Sequence, residues 1–265
     1  MALLTGKNAL IFGVANDHSI AWGIAKAFAR EGATLGFSYA AESLERRVRP
    51  LAASVNSTFV ELCDVTQDDQ IKAVMEKAGA AFGGLDILVH AVAFAGRDEL
   101  SGLYLNTTRA GFLQALNISA YSFTALAREA LPIMRPGGAL LTLTYHGSVK
   151  AVTHYNVMGV AKAALESSVR YLAVDLGAHE KHLRVNAISA GPIRTLSAAG
   201  VAGFKSMYSN FKSMAPLRRH VTIEDVGNAA LYLCSDWAAG VTGEIHYVDS
   251  GYNVIGVPTG DESQG

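Results

Sequence analysis

Cysteine is scarce in this 265-residue chain, and its two copies, Cys63 and Cys234, form no CxxC or Cys/His ligand spacing. That argues against a disulfide scaffold or a cysteine metal centre; free buried thiols fit a reducing cytosol, and a cytoplasmic location is expected. The eight His are scattered without an HExxH or comparable spacing, so no metal site is expected. Charge is low and balanced, with 17% charged residues and a formal net charge of −1. No basic stripe or charge block points to nucleic acid or an anionic membrane. Apolar runs all fall short of the roughly 20 residues that span a bilayer. The opening MALLTGKNALIFG lacks the n-region, long h-region and cleavage site of a signal peptide, and is not expected to act as one.

What is present is an alternation of strand and helix. Half the residues are hydrophobic, enough to bury one large α/β core rather than two small ones. Short apolar runs read as strands at Asn8–Val14, Thr34–Tyr39, Thr58–Leu62, Ile87–Val92, Ala139–Tyr145, Arg184–Ser189 and Glu244–Asp249. Amphipathic stretches read as helices at Ser19–Arg30, Ala41–Ser54, Gln70–Phe82, Ala110–Met134, His154–Leu176 and Thr222–Cys234. Near-continuous apolar strands between helices mean a parallel sheet covered on both faces. The order implies a doubly wound, Rossmann-type α/β fold of about seven strands. Residues 1–260 are expected to form one domain, with 261–265 (DESQG) a frayed tail. Two segments interrupt the alternation, Phe94–Thr108 and Pro192–Pro216. Both start at carboxyl ends of strands, where open α/β sheets bind ligands. They are the expected walls and lid (192–216) of a site.

A plain GxGxxG search fails at the first strand–helix turn. The turn reads Gly13-Val-Ala-Asn-Asp-His-Ser19-Ile20, and it can still meet the physical need. Gly13 permits a tight turn, and the helix start at Ser19–Ile20 offers free N–H groups to a pyrophosphate. The Ser19 hydroxyl either donates to phosphate or simply caps the helix. Asp64-Val65, after the third strand, is a second contact candidate: the Asp64 carboxylate accepts from an adenine amino group, or else caps the helix of Gln70. An acidic residue that would grip a ribose 2′-hydroxyl is missing after the second strand, where Ala40 and Ala41 stand.

The remaining candidates are Tyr145, at the end of the fifth strand, with Tyr155 and Lys162. Seven residues at about 100° each return to nearly the same helix face. A phenol and an ammonium on one face, beside a second phenol, can steady an oxyanion and protonate it. Any one of the three alone would read as an ordinary strand-end aromatic or a solvated lysine.

Taken together, Gly13…Ser19-Ile20, CDV at Cys63–Val65, VHAVAFA at Val89–Ala95, YNVMG at Tyr155–Gly159, RVNAISAGPIRT at Arg184–Thr195 and GEIHYVDSG at Glu244–Gly251 resemble the short-chain dehydrogenase/reductase superfamily. The similarity is closest to its divergent branch, the enoyl-acyl-carrier-protein reductases of bacterial type II fatty-acid synthesis. The superfamily's common Tyr-x3-Lys is replaced here by Tyr155-x6-Lys162. The resemblance implies reduction of a trans-2-enoyl thioester, carried on acyl carrier protein, by NADH, with NADPH left open. It also implies that Tyr155 bonds the thioester carbonyl, that Lys162 bonds the nicotinamide ribose and favours the working tyrosine's anion, and that Ile193, Thr195 and Val92 lie beside the nicotinamide. Tyr145 is a further catalytic candidate with an open role. An apolar lid stripe of Leu196, Val201, Phe204, Met207 and Tyr208 would face Phe94, Ala95, Leu100 and Met158 across an acyl chain. Ala93 stands where many relatives carry glycine, and its methyl narrows the space beside the nicotinamide. Small and apolar residues on several faces of the two long helices, with the resemblance, imply a homotetramer. The alternatives are a short-chain reductase of ketones and a nucleotide-binding regulator without catalysis.

Overall fold

The computed structural model describes residues 2–196, 198–200 and 202–256. Seven strands form one parallel sheet: β1 (Asn8–Phe12), β2 (Thr34–Tyr39), β3 (Phe59–Leu62), β4 (Leu85–His90), β5 (Met134–Thr144), β6 (Arg184–Ala190) and β7 (Ile245–Val248). Their order, β3-β2-β1-β4-β5-β6-β7, reverses direction between β1 and β4. That is the switch point where a doubly wound sheet opens a crevice. The expected fold class is the one observed.

Alternation along the strands builds the two faces. Ala9 and Ile11 of β1 join a core with α1 (Ile20–Arg30), α2 (Glu42–Ser54) and α8 (Ile223–Cys234). Leu10 and Phe12 point the other way, into a core with α3 (Asp68–Phe82), α5 (Ser122–Ala130) and α6 (Asn156–Ala178). A third, smaller cluster of Ala95, Leu100, Ala115, Val157, Met158 and Ala161 packs the segment after β4 against α4 (Arg109–Leu116) and α6. That cluster places one wall of the crevice.

The structure corrects the sequence reading in several places. The long helix expected at Ala110–Met134 is α4, a π-helical turn at Asn117–Tyr121, and α5. It ends at Ala130 because Pro132 has no N–H to continue the ladder. Met134 already belongs to β5: it pairs with Leu85 while Ala139 pairs with Ile87, so Arg135–Gly138 bulges out of the strand. The helix expected from His154 starts at Asn156, since His154 (φ 65) and Asn156 (φ 42) are both left-handed. Tyr155 sits between them as N-cap with helical dihedrals, so it keeps the helix face shared with Lys162. The segment 192–216 contains a helix, α7 (Phe204–Met214), which the sequence reading treated as connection. Val201 and residues 261–265 lie outside the described residues.

Candidate active site

The crevice at the carboxyl ends of the strands is a cleft of about 600 Å³. Gly13, Ser19 and Ile20 line one end, and Val92, Phe94, Ala95 and Leu100 line a wall. Tyr145, Tyr155, Met158 and Lys162 line the middle, and Ile193, Thr195, Leu196, Phe204 and Met207 close the side toward the lid. Apart from Asp64, Val65 and Val201, the structure therefore gathers the expected site residues into one space.

Gly13 is needed at its position. Its φ is +104, and a Cβ there would lie 2.1 Å from the Ala91 carbonyl oxygen. The backbone of the first turn thus runs against the end of β4, leaving the start of α1 open to the cleft. The Ser19 side chain does not cap α1. Its oxygen instead accepts from the N–H groups of Ala15 and Asn16, at 3.1 Å each, which closes the turn on itself. Asp64 caps no helix either, because α3 begins at Asp68 with Gln67 as N-cap. The Asp64 carboxylate accepts from the Thr66 N–H (2.9 Å) and hydroxyl (2.8 Å). Val65 is packed in the core beside α3. These local bonds account for both residues, and neither lines the cleft.

The two tyrosine rings meet edge to face with centroids 4.9 Å apart. A close approach of α6 to the turn after β5 sets this geometry. A Cβ on Gly159 would fall 2.7 Å from the Gly147 carbonyl oxygen, and one on Gly147 would fall 2.5 Å from the Tyr155 ring. The Asn156 amide donates to the carbonyls of Glu99 (3.3 Å) and Ser101 (3.4 Å), tying the wall to the start of α6. Ser119, in the π-helical turn, accepts from the Phe94 N–H at 2.9 Å and donates to the Phe94 carbonyl at 3.1 Å. The π turn therefore fixes the entry to the wall. His90, fully buried beneath, bonds Thr142 and Ser122 through its two ring nitrogens, and burial pushes its pKa down to about 3. It is a neutral pillar.

Burial dominates the electrostatics. It raises the Tyr155 phenol well above its ordinary range, with Tyr145 and Glu166 adding to the effect. Desolvation of the phenolate thus favours the protonated form of Tyr155. Burial likewise pushes Tyr145 up to about 12. It pushes Lys162 down to about 8, opposed by the carboxylate of Glu166. The Lys162 ammonium donates to the Leu143 carbonyl at 2.7 Å, and the Tyr145 hydroxyl meets the Met207 sulfur at 3.3 Å. On the lid, Tyr208 departs from its expected stripe. It stacks on His220 with ring centroids 3.8 Å apart, and the Arg194 guanidinium lies over the Tyr208 ring, 4.4 Å from its centroid. A second groove of about 960 Å³ adjoins the cleft at Leu100, Thr195 and Phe204 and carries Arg97, Arg194 and Lys205.

The sequence pattern of the family described as Enoyl-(Acyl carrier protein) reductase matches residues 13–253. The chain belongs to the enoyl-acyl-carrier-protein reductase family. It is 56% identical over 257 residues to the Enoyl-[acyl-carrier-protein] reductase [NADH] 2 of Rhizobium meliloti, covering 97% of this chain and 95% of that one. Among solved structures, the Bacillus cereus reductase with NADP+ and indole naphthyridinone is 53% identical with a TM-score of 0.94, covering 97% and 100% of the two chains. The Anaplasma phagocytophilum reductase in complex with NAD is 49% identical with a TM-score of 0.93, covering 97% and 98%. Sequence reasoning missed several residues that shape this family member's site: Gly147, Gly159, Thr144, Glu166 and Arg97. Gly147, Gly159 and Thr144 carried a signal, each lying within four residues of a candidate tyrosine, and Glu166 stands four residues after Lys162; Arg97 carried none.

Proposed function

We infer that this chain reduces the trans-2 double bond of enoyl thioesters to the saturated acyl thioester, with NADH as reductant. The observation that carries the reading is the single cleft in which the Gly13–Ser19 turn, the Tyr155–Lys162 face and an apolar lid converge. The cleft fits the cofactor. A Cβ at Gly13 would collide with the backbone of β4, and the N-terminus of α1 is aimed where a pyrophosphate binds. Gly13, Ser19 and Ile20 would hold the phosphates, and Lys162, Val92, Ile193 and Thr195 the nicotinamide end. When bound, NADH supplies hydride to the β-carbon of the conjugated thioester.

The chain's own residues manage the charge that results. Negative charge develops on the thioester carbonyl oxygen, two carbons from the site of reduction. The Tyr155 hydroxyl is the donor for that oxygen. A phenol is protonated at neutral pH, burial raises this one further, and its ring is wedged against Gly147. A preorganised donor of this kind is worth about 2.7–4 kcal/mol in the transition state. Lys162 orients the cofactor ribose and balances the developing charge. Tyr145, through Met207, anchors the lid over the acyl group.

The substrate would arrive on acyl carrier protein, with the Arg97, Arg194 and Lys205 groove meeting an acidic carrier at the mouth. Residues 1–260 act as one catalytic domain, with 192–216 as its lid. Leu113 on α4, Tyr121 in the π turn, and Tyr171 and Val174 on α6 expose large apolar side chains, which supports subunit packing into a homotetramer in the cytoplasm. Among the described residues no helix is long and apolar enough to cross a membrane. Initial rates with NADH and NADPH on crotonyl and acetoacetyl thioesters test the reading. NADH consumption with crotonyl thioester is expected; consumption with acetoacetyl thioester alone would mean a ketone reductase.

A further inference from the structure

Glu166 is a buried carboxylate that the chemistry above leaves without a role. It lies on α6 one turn beyond Lys162, at 5% exposure, and makes no ion pair within contact distance among the described residues. Its recorded hydrogen bond comes from the Thr144 hydroxyl, 2.6 Å away. Thr144 is the neighbour of Leu143, whose carbonyl accepts from the Lys162 ammonium. Two consecutive residues of β5 therefore hold two side chains one helical turn apart. Thr144 also begins a row of hydroxyl residues across the sheet: it pairs with Ser189 of β6, which pairs with Tyr247 of β7. An uncompensated buried carboxylate costs several kcal/mol, so an acidic side chain here needs a compensating cation. Residues i and i+4 share a helix face, and that geometry supplies one in Lys162.

We propose that Glu166 is a positioning residue for the reduction: it acts through Lys162, keeping the ammonium charged beside Tyr155, while Thr144 fixes the carboxylate. The proposal rests on Lys162 being the cation of the active site. The groups that face the pair fit this role. From β4 comes His90, held neutral. From the end of β5 comes Tyr145 and from the N-cap of α6 Tyr155, both phenols raised by burial. From β7 comes Tyr247, raised by burial and then by Glu166 itself. Glu166 is the one group that works against desolvation at Lys162. A mere tether of α6 to β5 would require only a hydrogen-bonding side chain at this position, and a glutamine would serve.

The test uses the full chain in three variants. Glu166→Gln keeps the shape and the acceptor for Thr144 but removes the charge. Thr144→Val keeps the charge but removes the donor. Lys162→Ala is the control. For each, kcat/KM on a crotonyl thioester and the affinity for NADH by fluorescence titration are measured from pH 6 to 10. In Glu166→Gln the alkaline limb of both curves is expected to move down by about one pH unit or more, with the acid plateau within about twofold of wild type. In Thr144→Val the limb is expected to stay in place. A Glu166→Gln enzyme whose limbs do not move, or whose rate drops by one factor at every pH, would overturn the proposal. Should Glu166→Gln fold poorly, Glu166→Met, which removes the charge with a side chain of similar length, takes its place: a limb moved down supports the proposal and an unmoved limb overturns it. A fully active Lys162→Ala enzyme would sink the reading of Lys162 itself. An inactive one with unmoved limbs in Glu166→Gln sinks only the role of Glu166.

Discussion

Every residue of β6 is buried, whereas α7, which follows it across the mouth of the same cleft, buries only Phe211. The floor of the site is made from strand ends and the face of α6, and each reactive group there is bonded or wedged: Lys162 to Leu143, Tyr155 against Gly147, Ser19 to its own turn. The lid is held by side-chain stacking, Tyr208 on His220 and Phe211 on Tyr252, and by the contact of Met207 with Tyr145. Hydrogen bonds and close backbone approaches are directional and fix atoms where charge develops. Stacked and thioether contacts tolerate sliding. The contrast fits a reaction whose chemistry is the same for every substrate while the acyl chain varies.

Breaking the floor should therefore cost far more than altering the lid. Tyr155→Phe removes the oxyanion donor without changing the ring, and kcat is expected to fall about 100- to 1,000-fold. Its melting temperature should stay near that of the parent, as checked by circular dichroism. Gly13→Ala is expected to destabilise the fold by about 1–3 kcal/mol, because its methyl overlaps the Ala91 carbonyl and overpacking carries that cost. Weakened NADH binding in a fluorescence titration would accompany it, and a variant with normal stability and binding would mean that the turn is looser than described.

The two regions should also part in their pH dependence. On the floor, Lys162 is pushed down to about 8, so its ammonium is present below that pH and lost as pH rises through it. Tyr155 stays protonated across this range because its pKa is raised. The rate is expected to fall about tenfold per pH unit well above pH 8, measured as kcat/KM with NADH. Beside the lid, His220 is lowered from its ordinary value by burial, Arg194 and Lys212, so it is neutral in the alkaline range and adds no limb there. The smallest effect is expected at Met207→Leu. This volume-conserving change should cost under about 1.5 kcal/mol of stability. Losing the sulfur that meets Tyr145 should alter KM for long enoyl thioesters by less than about tenfold, with crotonyl turnover nearly unchanged. A crotonyl rate that fell as far as in Tyr155→Phe would erase the distinction between floor and lid.

Several parts of the molecule were determined by the sequence alone. Runs such as ALIF and ILVH, short, apolar and set between amphipathic helices, read as strands buried on both faces, which made the parallel sheet legible. The spacing of Tyr155 and Lys162 placed them on one helix face whatever the surroundings, because helical periodicity is local. Gly13 marked a tight turn even without a GxGxxG pattern. The tertiary structure decided the rest. Asp64 is occupied by Thr66 rather than by a helix start, and the π turn interrupts the helix at Asn117–Tyr121 where Ser119 grips Phe94. The raised pKa of Tyr155 comes first from its burial, and how deeply a phenol is buried depends on elements packed from across the chain. Glu166 gains its meaning from Thr144, 22 residues away in sequence. Periodicity and turn chemistry act over a few residues and can be read along the chain; desolvation and side-chain contacts between distant segments exist only once the sheet has brought those segments together.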